Sequence, residues 1–144
     1  MFKGEPVKGV QFYKLLLENK DFSSELGRMA LASGRLEVEL LLYFMRNDVV
    51  VKNNASTLGG LINIGKKNNL LNENLILLLE LILKQRNYFT HNIFALFTNL
   101  IDVTILEREN LIDTDVITYA NYVGQLRENL ESLADLISEK CGNN

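Results

Sequence analysis

The residues best suited to chemistry lie in the stretch Leu83–Phe94, which reads LKQRNYFTHNIF. This stretch holds the only histidine of the chain, His91, five residues after Arg86 and four after Asn87. An arginine is a permanent cation whose planar fork binds a phosphate through two hydrogen bonds. A histidine donates or accepts a proton near neutral pH, and an asparagine orients a neighbouring group through its amide. These residue types favour metal-independent cleavage of an RNA phosphodiester, with His91 moving the proton and Arg86 stabilising charge on the phosphorus.

The spacing alone leaves a second interpretation open. On an ideal α-helix, residues four apart share a face, whereas Arg86 and His91 point about 140° apart. They can border one cleft, but they are also compatible with a histidine near a helix end and an arginine extended along a solvated face. Because the chain has a single histidine and no close group of cysteine, histidine and aspartate residues, we expect no metal site and no cofactor.

Two polar residues are candidates to support this cluster. Thr90 lies four residues after Arg86 and shares its helix face. Glu37 lies at the edge of the apolar stripe of an earlier helix, where it could pair with Arg86 and hold it in place. The alternatives for Glu37 are a solvated side chain or a pair with Arg35 or another helix.

Aromatic and basic residues near the motif could contact RNA directly. Tyr88 and Phe89 could stack on a base, although their spacing to Ile93 and Phe94 favours packing in the core or at an interface. Four lysines could guide phosphates towards the site, or could be ordinary solubilising residues: Lys52, Lys66, Lys67 and Lys84.

Apolar periodicity predicts a chain that is helical almost throughout. The only proline, Pro6, lies near the N-terminus, so no proline interrupts the rest. After a short leading helix in VQFYKLLLENK, we expect four main helices: Ser23 or Ser24 to about Asp48, Ala55 to about Lys66, Asn72 to about Leu96, and from Asp113–Asp115 to the C-terminal tail. Gly59 and Gly60 in the second of these predict a close approach of another backbone.

The fold class that follows is all-α, an antiparallel four-helix bundle with an extra short N-terminal helix. We expect a single domain over residues 1–144, with an N-terminal segment at about 1–20 and the bundle at 22–140. The helix after Asn72 is apolar on every side between Leu75 and Leu83. It is therefore either the centre of the bundle or the contact with a second subunit.

Composition restricts the class of protein further. Of 144 residues, 47% are hydrophobic and 23% are charged, which is typical of a globular domain. The net charge of −3 argues against a protein that coats nucleic acid electrostatically, although it permits one local phosphate site. No apolar run is long enough to span a membrane, and the single cysteine, Cys141, has no partner for an internal disulfide. We expect a soluble, cytoplasmic protein.

The motif and the helical layout together resemble the HEPN superfamily of helical domains. The hallmark of that family is R-x(4–6)-H, often with Asn, Asp or His after the arginine, and Arg86, Asn87 and His91 match it here. The resemblance implies a four-helix bundle that forms a homodimer and places two copies of the motif in one composite cleft. It also implies metal-independent endoribonuclease activity on RNA, often as the toxin of a toxin–antitoxin pair or in phage defence.

Some members of this family have lost catalysis. Such members act as binding modules, so the alternative is an inactive HEPN-like module that binds a nucleotide, an antitoxin or a nucleotidyltransferase partner. In a subgroup that pairs with nucleotidyltransferases the motif extends to R-x4-H-x-Y, and the tyrosine receives AMP. Ile93 stands at that position in this chain, so that regulation is not expected here.

Overall fold

A computed structural model describes residues 2–93, 104–106 and 108–142 of the chain. These residues form five α-helices and, apart from an isolated bridge between Pro6 and Ile112, no β-structure. The helices are α1 (Gly9–Glu18), α2 (Lys20–Arg46), α3 (Leu58–Lys67), α4 (Glu73–Asn87) and α5 (Asp115–Gly142). The predicted all-α class is confirmed for the described part of the chain. Residues 94–96, the predicted end of the third main helix, lie outside the described residues.

Asparagine and threonine side chains set where three of the helices begin. Asn19 caps α2, since its Oδ1 accepts a hydrogen bond of 2.7 Å from the amide of Phe22. The helix therefore starts before the predicted caps Ser23 and Ser24, because an asparagine stabilises a helix N-terminus as well as a serine does. In the same way Thr57 caps α3 and Asn72 caps α4, each by accepting from an amide three residues later.

The core lies mainly between α2 and α5. The residues of α5 that recur at a spacing of three and four are all buried, as expected of one face of a packed helix: Val116, Tyr119, Val123, Leu126, Leu130, Leu133 and Ile137. Facing it, α2 buries Met29, Leu36, Leu40 and Phe44. The short α1 adds Phe12, which is fully buried, so the N-terminal segment packs into the same core as the main helices.

The directions of the helices differ from the antiparallel prediction. Glu25 pairs with Arg127, and ten residues further along α2, Arg35 pairs with Asp135. Because both partners advance together, α2 and α5 run parallel. Periodicity specifies which face of a helix is buried but not the direction of its partner. Residues 47–57, which connect α2 to α3, also form a longer connection than the tight turns that join antiparallel neighbours in simple bundles.

Helices α3 and α4 do run antiparallel, and a glycine allows a close backbone contact at the start of α3. Lys66 near the end of α3 pairs with Glu80 of α4, while Gly59 near its start lies opposite Leu83. A side chain at Gly60 would collide with the backbone carbonyl of Ala55, so the predicted close backbone approach is confirmed at that position. Gly59 has no such constraint, since a methyl group there would make ordinary contact with Leu83.

Helix α4 is not the centre of the bundle. It buries Leu75, Leu79 and Ile82 on one side. On the other side Leu77, Leu78 and Leu81 are 65%, 50% and 54% exposed. The apolar sequence on every side of α4 is therefore not explained by burial within the described chain.

A carboxylate docks the N-terminal segment beside the start of α5. Asp113 accepts hydrogen bonds from the amides of Lys3, Gly4 and Glu5 at 2.8, 2.7 and 3.2 Å. Gly4 has φ of +75°, the left-handed conformation in which successive amides converge on an anion. These amides, that of Lys3 foremost, hold the pKa of the Asp113 carboxyl below its usual value.

Candidate functional site

The motif lies where α4 changes its helical geometry. Arg86 and Asn87 are the last residues of α4, and the next five, Tyr88–Asn92, form a π-helical turn that carries His91. A π-turn bonds residues five apart, so it holds more residues per turn than an α-helix and reduces the 140° separation expected between Arg86 and His91. Single π-turns within helices occur frequently at functional sites.

The guanidinium of Arg86 points across to α2. Its Nη1 lies 3.5 Å from Glu37 Oε1 and 3.5 Å from the hydroxyl of Ser33. Its Nη2 donates a hydrogen bond of 2.9 Å to Asn87 Oδ1. The predicted pairing of Glu37 with Arg86 is thus present, and Asn87 orients the guanidinium as its amide permits.

The hydrogen-bonding capacity of Arg86 is only partly used. Its Nε is buried, and no described residue accepts a hydrogen bond from it. Both contacts to α2 involve the same Nη1 at 3.5 Å, well beyond the 2.7–2.9 Å of a strong charge-assisted hydrogen bond. Buried polar groups in proteins are nearly always satisfied, so the orphaned Nε of Arg86 is an exception among the described residues.

Glu37 forms only a loose ion pair with this arginine. Burial raises the pKa of the Glu37 carboxyl above its usual value, and the positive charge of Arg86 only partly offsets that shift. A tight two-bond pair would have lowered this pKa instead. The carboxylate therefore orients Arg86 without occupying its fork.

His91 lies apart from this cluster within one chain. Its side chain is exposed, and no hydrogen bond joins it to Arg86 among the described residues. Thr90 donates from its hydroxyl to the backbone carbonyl of Arg86 at 3.0 Å, so it contributes to the turn and does not face the guanidinium. The structure thus brings Arg86, Asn87 and Glu37 together and leaves the imidazole free to approach a ligand from solvent.

Tyr88 and Phe89 anchor the π-turn in the core. Both are buried, so neither ring can stack on a base in this conformation, as the packing interpretation predicts. The hydroxyl of Tyr88 hydrogen-bonds to that of Tyr119 and accepts from the amide of Ile105 at 3.1 Å. The ring of Phe89 meets Tyr119 edge to face, with centroids 5.9 Å apart.

Two residues differ from what the sequence indicates. A tyrosine on a bundle helix usually keeps its hydroxyl in solvent, yet Tyr119 is fully buried, and burial raises its pKa far above the usual value of 10. Ser33 lies in the sequence at the spacing of the apolar stripe of α2, although it faces Arg86. The available signal was the four-residue spacing of Ser33 and Glu37, which places two polar groups on one side of a helix.

The four candidate lysines are all exposed, and they differ in their surroundings. Lys66 forms an ion pair with Glu80, which favours a structural interpretation for it. Lys84 borders a cavity between α4 and α5. Of the four lysines, Lys84 is the one that lies on α4 itself, two residues before Arg86.

Two further features bear on the class of site. Within the described ranges, no group of three or more histidine, cysteine, aspartate or glutamate residues is arranged to hold a metal ion. None of the described helices combines the length and the apolar character needed to cross a membrane.

Comparison with known proteins adds no relative. No family model, no curated protein and no solved structure matches this chain. The candidate function therefore depends on the residues and the geometry of the motif.

Proposed function

We propose that this chain is a metal-independent endoribonuclease of HEPN type, working as a homodimer with Arg86, Asn87 and His91 in a composite cleft. A role as the toxin of a toxin–antitoxin pair or as a phage-defence effector fits that activity. The observation that carries the proposal is the underused guanidinium of Arg86, held by Asn87 and Glu37 one π-turn away from an exposed histidine.

The reaction assigned to these groups is a transesterification. His91 takes the proton of a ribose 2′-hydroxyl, whose oxygen attacks the adjacent phosphorus. The bond from phosphorus to the 5′-oxygen breaks, and the leaving oxygen receives a proton from a second histidine, which begins the step as a protonated imidazolium and ends it as a neutral imidazole. Arg86 stabilises the extra negative charge on the phosphoryl oxygens, which typically accelerates a reaction by about 10²–10³-fold. The products are a 2′,3′-cyclic phosphate and a 5′-hydroxyl.

A dimer would supply the second imidazole. One histidine cannot act at once as the base and as the acid on opposite sides of a phosphorus atom. A two-fold dimer brings two copies of His91 and Arg86 around one substrate. The exposed Leu77, Leu78 and Leu81 of α4 support this arrangement, since a contiguous apolar surface of this kind marks an interaction site.

Cleavage products test the reaction. We expect the purified protein to cut single-stranded RNA in the presence of EDTA, with 2′,3′-cyclic phosphate ends detected by mass spectrometry. DNA of the same sequence should stay intact, because it lacks the attacking hydroxyl. A requirement for Mg²⁺, or equal cutting of DNA, would show that His91 does not act as proposed.

Light scattering tests the dimer. The wild-type chain should have twice the mass of one chain, and the double variant Leu77→Glu, Leu81→Glu should be monomeric. Leu31→Glu is the control, since Leu31 is 78% exposed on α2, away from this face. A wild-type monomer at high micromolar concentration, or a dimer broken by the control alone, would exclude α4 as the interface.

The second candidate is a catalytically inactive HEPN-like module that binds a nucleotide, an antitoxin or a nucleotidyltransferase. The absence of a direct bond between His91 and Arg86 in the described chain favours it. RNA that binds equally to wild type, Arg86→Ala and His91→Ala, and is never cut, would establish this alternative in place of the enzyme.

A further inference from the structure

A cavity of about 460 Å³ opens between the C-terminal half of α4 and the first half of α5. Its apolar lining includes Phe89, Ile105 and Leu126. Its polar lining includes Gln85, Gln125 and Asn129. The volume and the mixture of an apolar floor with a few polar groups are typical of a small-ligand site.

The charges around the cavity favour an anionic ligand with a neutral ring. Lys84 is the only charged side chain among the described lining residues. The chain carries 18 acidic residues and has a net charge of −3, yet none of the described residues that line this cavity carries a carboxylate. By contrast, the cavity beside Glu25 is lined by charges of both signs, and there Glu25 is already paired with Arg127.

Three carboxamides give the cavity the means to read a nucleobase. A carboxamide offers a donor and an acceptor side by side, which matches the edge of a base. Gln125 Nε2 donates a hydrogen bond of 3.0 Å to Asn129 Oδ1, so the two amide groups orient each other. That bond leaves the Gln125 carbonyl oxygen available to accept a hydrogen bond from a ligand and the Asn129 amide nitrogen available to donate one to it. Tyr122, 48% exposed in the lining, presents a ring on which a base can stack.

The cavity is continuous with the motif. Tyr88 and Phe89 form part of its wall and also belong to the π-turn that carries His91. Gln85 directly precedes Arg86 on α4. A nucleotide bound here would therefore contact the π-turn on which His91 is carried.

We propose that this cavity holds one unpaired nucleobase of the RNA substrate, with Lys84 on the attached phosphate and the carboxamides of Gln85, Gln125 and Asn129 on the base edge. The inference rests on the proposed ribonuclease function and assigns that site a base-recognition pocket. The pocket would make cleavage depend on the identity of a base near the cut.

Binding of two probes tests the pocket. The first set of probes comprises the four nucleoside 5′-monophosphates. The second set comprises short 2′-O-methyl oligonucleotides, which the enzyme cannot cut. Both are titrated by calorimetry into the full chain. We expect saturable binding that favours one base, with the oligonucleotide binding tighter if RNA is the natural source of the nucleotide.

Variants locate the binding. Asn129→Leu and Gln125→Leu should weaken binding about tenfold, the effect of one lost hydrogen bond to a well-placed group. Asn63→Leu, at an exposed position on α3, is the matched control and should bind as the wild type does. Lys84→Gln should weaken binding of the nucleotide but leave binding of the corresponding nucleoside unchanged, because the nucleoside has no phosphate. Circular dichroism and thermal melting establish that each variant is folded.

The outcomes separate the two proposals. If neither probe binds, or if the variants at positions 84, 125 and 129 bind like the control, the pocket is refuted even when RNA is cut. If nucleotides bind in the pocket and RNA is never cut, the pocket stands and the ribonuclease proposal fails. Arg86→Ala and His91→Ala should still bind the monophosphates, because neither residue lines the cavity.

Discussion

Arg86 and Arg127 are exposed to nearly the same extent, 20% and 21%, but their guanidinium groups are used very differently. Arg127 gives Nε to Glu25 at 2.9 Å and Nη2 to the same carboxylate at 3.3 Å, while its Nη1 reaches Glu131 at 3.3 Å. Arg86 has an orphaned Nε, one hydrogen bond of 2.9 Å to its neighbour Asn87, and contacts of 3.5 Å to Glu37 and Ser33 across the helix interface. Burial alone therefore does not distinguish a structural arginine from one that can receive a ligand.

The carboxylates beside the two arginines differ in the same sense. The hydrogen bond from Arg127 holds the pKa of Glu25 below its usual value. Burial raises the pKa of Glu37, and Arg86 does not reverse that shift. The close pair of Glu25 and Arg127 stabilises the charged carboxylate. The loose pair of Glu37 and Arg86 does so less, and it leaves hydrogen-bonding capacity on the guanidinium for a ligand. We infer that Arg127 connects α2 to α5 and that Arg86 serves the site.

The largest expected difference between the two arginines is in catalysis. Arg86→Ala should lower the rate of RNA cleavage about 10²–10³-fold, because it removes the group that stabilises charge in the transition state. Arg127→Ala should cut at close to the wild-type rate. Single-turnover cleavage of a labelled RNA measures both. Equal losses in the two variants would mean that Arg86 has no special role.

Stability should show the opposite order. Arg127→Ala leaves Glu25 without its main partner and removes the contacts that join α2 to α5, so the melting temperature should fall by several degrees. Arg86→Ala should lower it less, since the contacts that it removes on α2 are long. Differential scanning calorimetry of both variants gives the comparison. A larger loss for Arg86→Ala would assign Arg86 to the fold.

The smallest effect is a difference in how stability depends on pH. A lowered pKa in the folded state means that Glu25 stabilises the protein above the usual value of 4.5, and that this contribution is lost as the pH falls through the folded-state pKa. A raised pKa has the reverse consequence for Glu37. Its contribution is complete below 4.5 and is lost as the pH rises through the folded-state pKa.

Urea unfolding, measured from acid pH to pH 7, compares the free energy of unfolding of two matched variants. Glu25→Gln should be less stable than the wild type at pH 7, with the difference disappearing in acid. Glu37→Gln should flatten the decline in stability that the wild type shows as the pH rises above 4.5. The same pH dependence in both variants would contradict the contrast between the two pairs.

Local patterns in the sequence predict much of the fold. The α5 stripe from Val116 to Ile137 is buried throughout because a 3–4 apolar spacing defines one face of a helix. The direction of α2 relative to α5 could not be obtained in this way. It depends on packing between helices that are far apart in the chain, and the pair of Arg35 with Asp135, 100 residues apart, reveals that direction without setting it.

The site shows the same division between local and long-range information. Arg86, Asn87 and the pairing with Glu37 followed from residue type and helical position. The π-turn did not, because the aromatic contacts of Tyr88 and Phe89 with Tyr119 that hold it involve a distant helix. Ser33 was missed because a serine in an apolar stripe is usually tolerated as a small residue.

Side-chain NMR of the arginines tests the central contrast most directly. With ¹⁵N-labelled arginine, each Nε–H gives its own signal, and Arg86→Lys and Arg127→Lys assign the two that matter. On addition of a 2′-O-methyl oligonucleotide, we predict that the Nε–H signal of Arg86 shifts, because its guanidinium gains a phosphate partner, and that the signal of Arg127 stays in place. A shift of Arg127 with no change at Arg86, while the oligonucleotide is bound, would contradict the assignment of Arg86 as the phosphate-binding arginine.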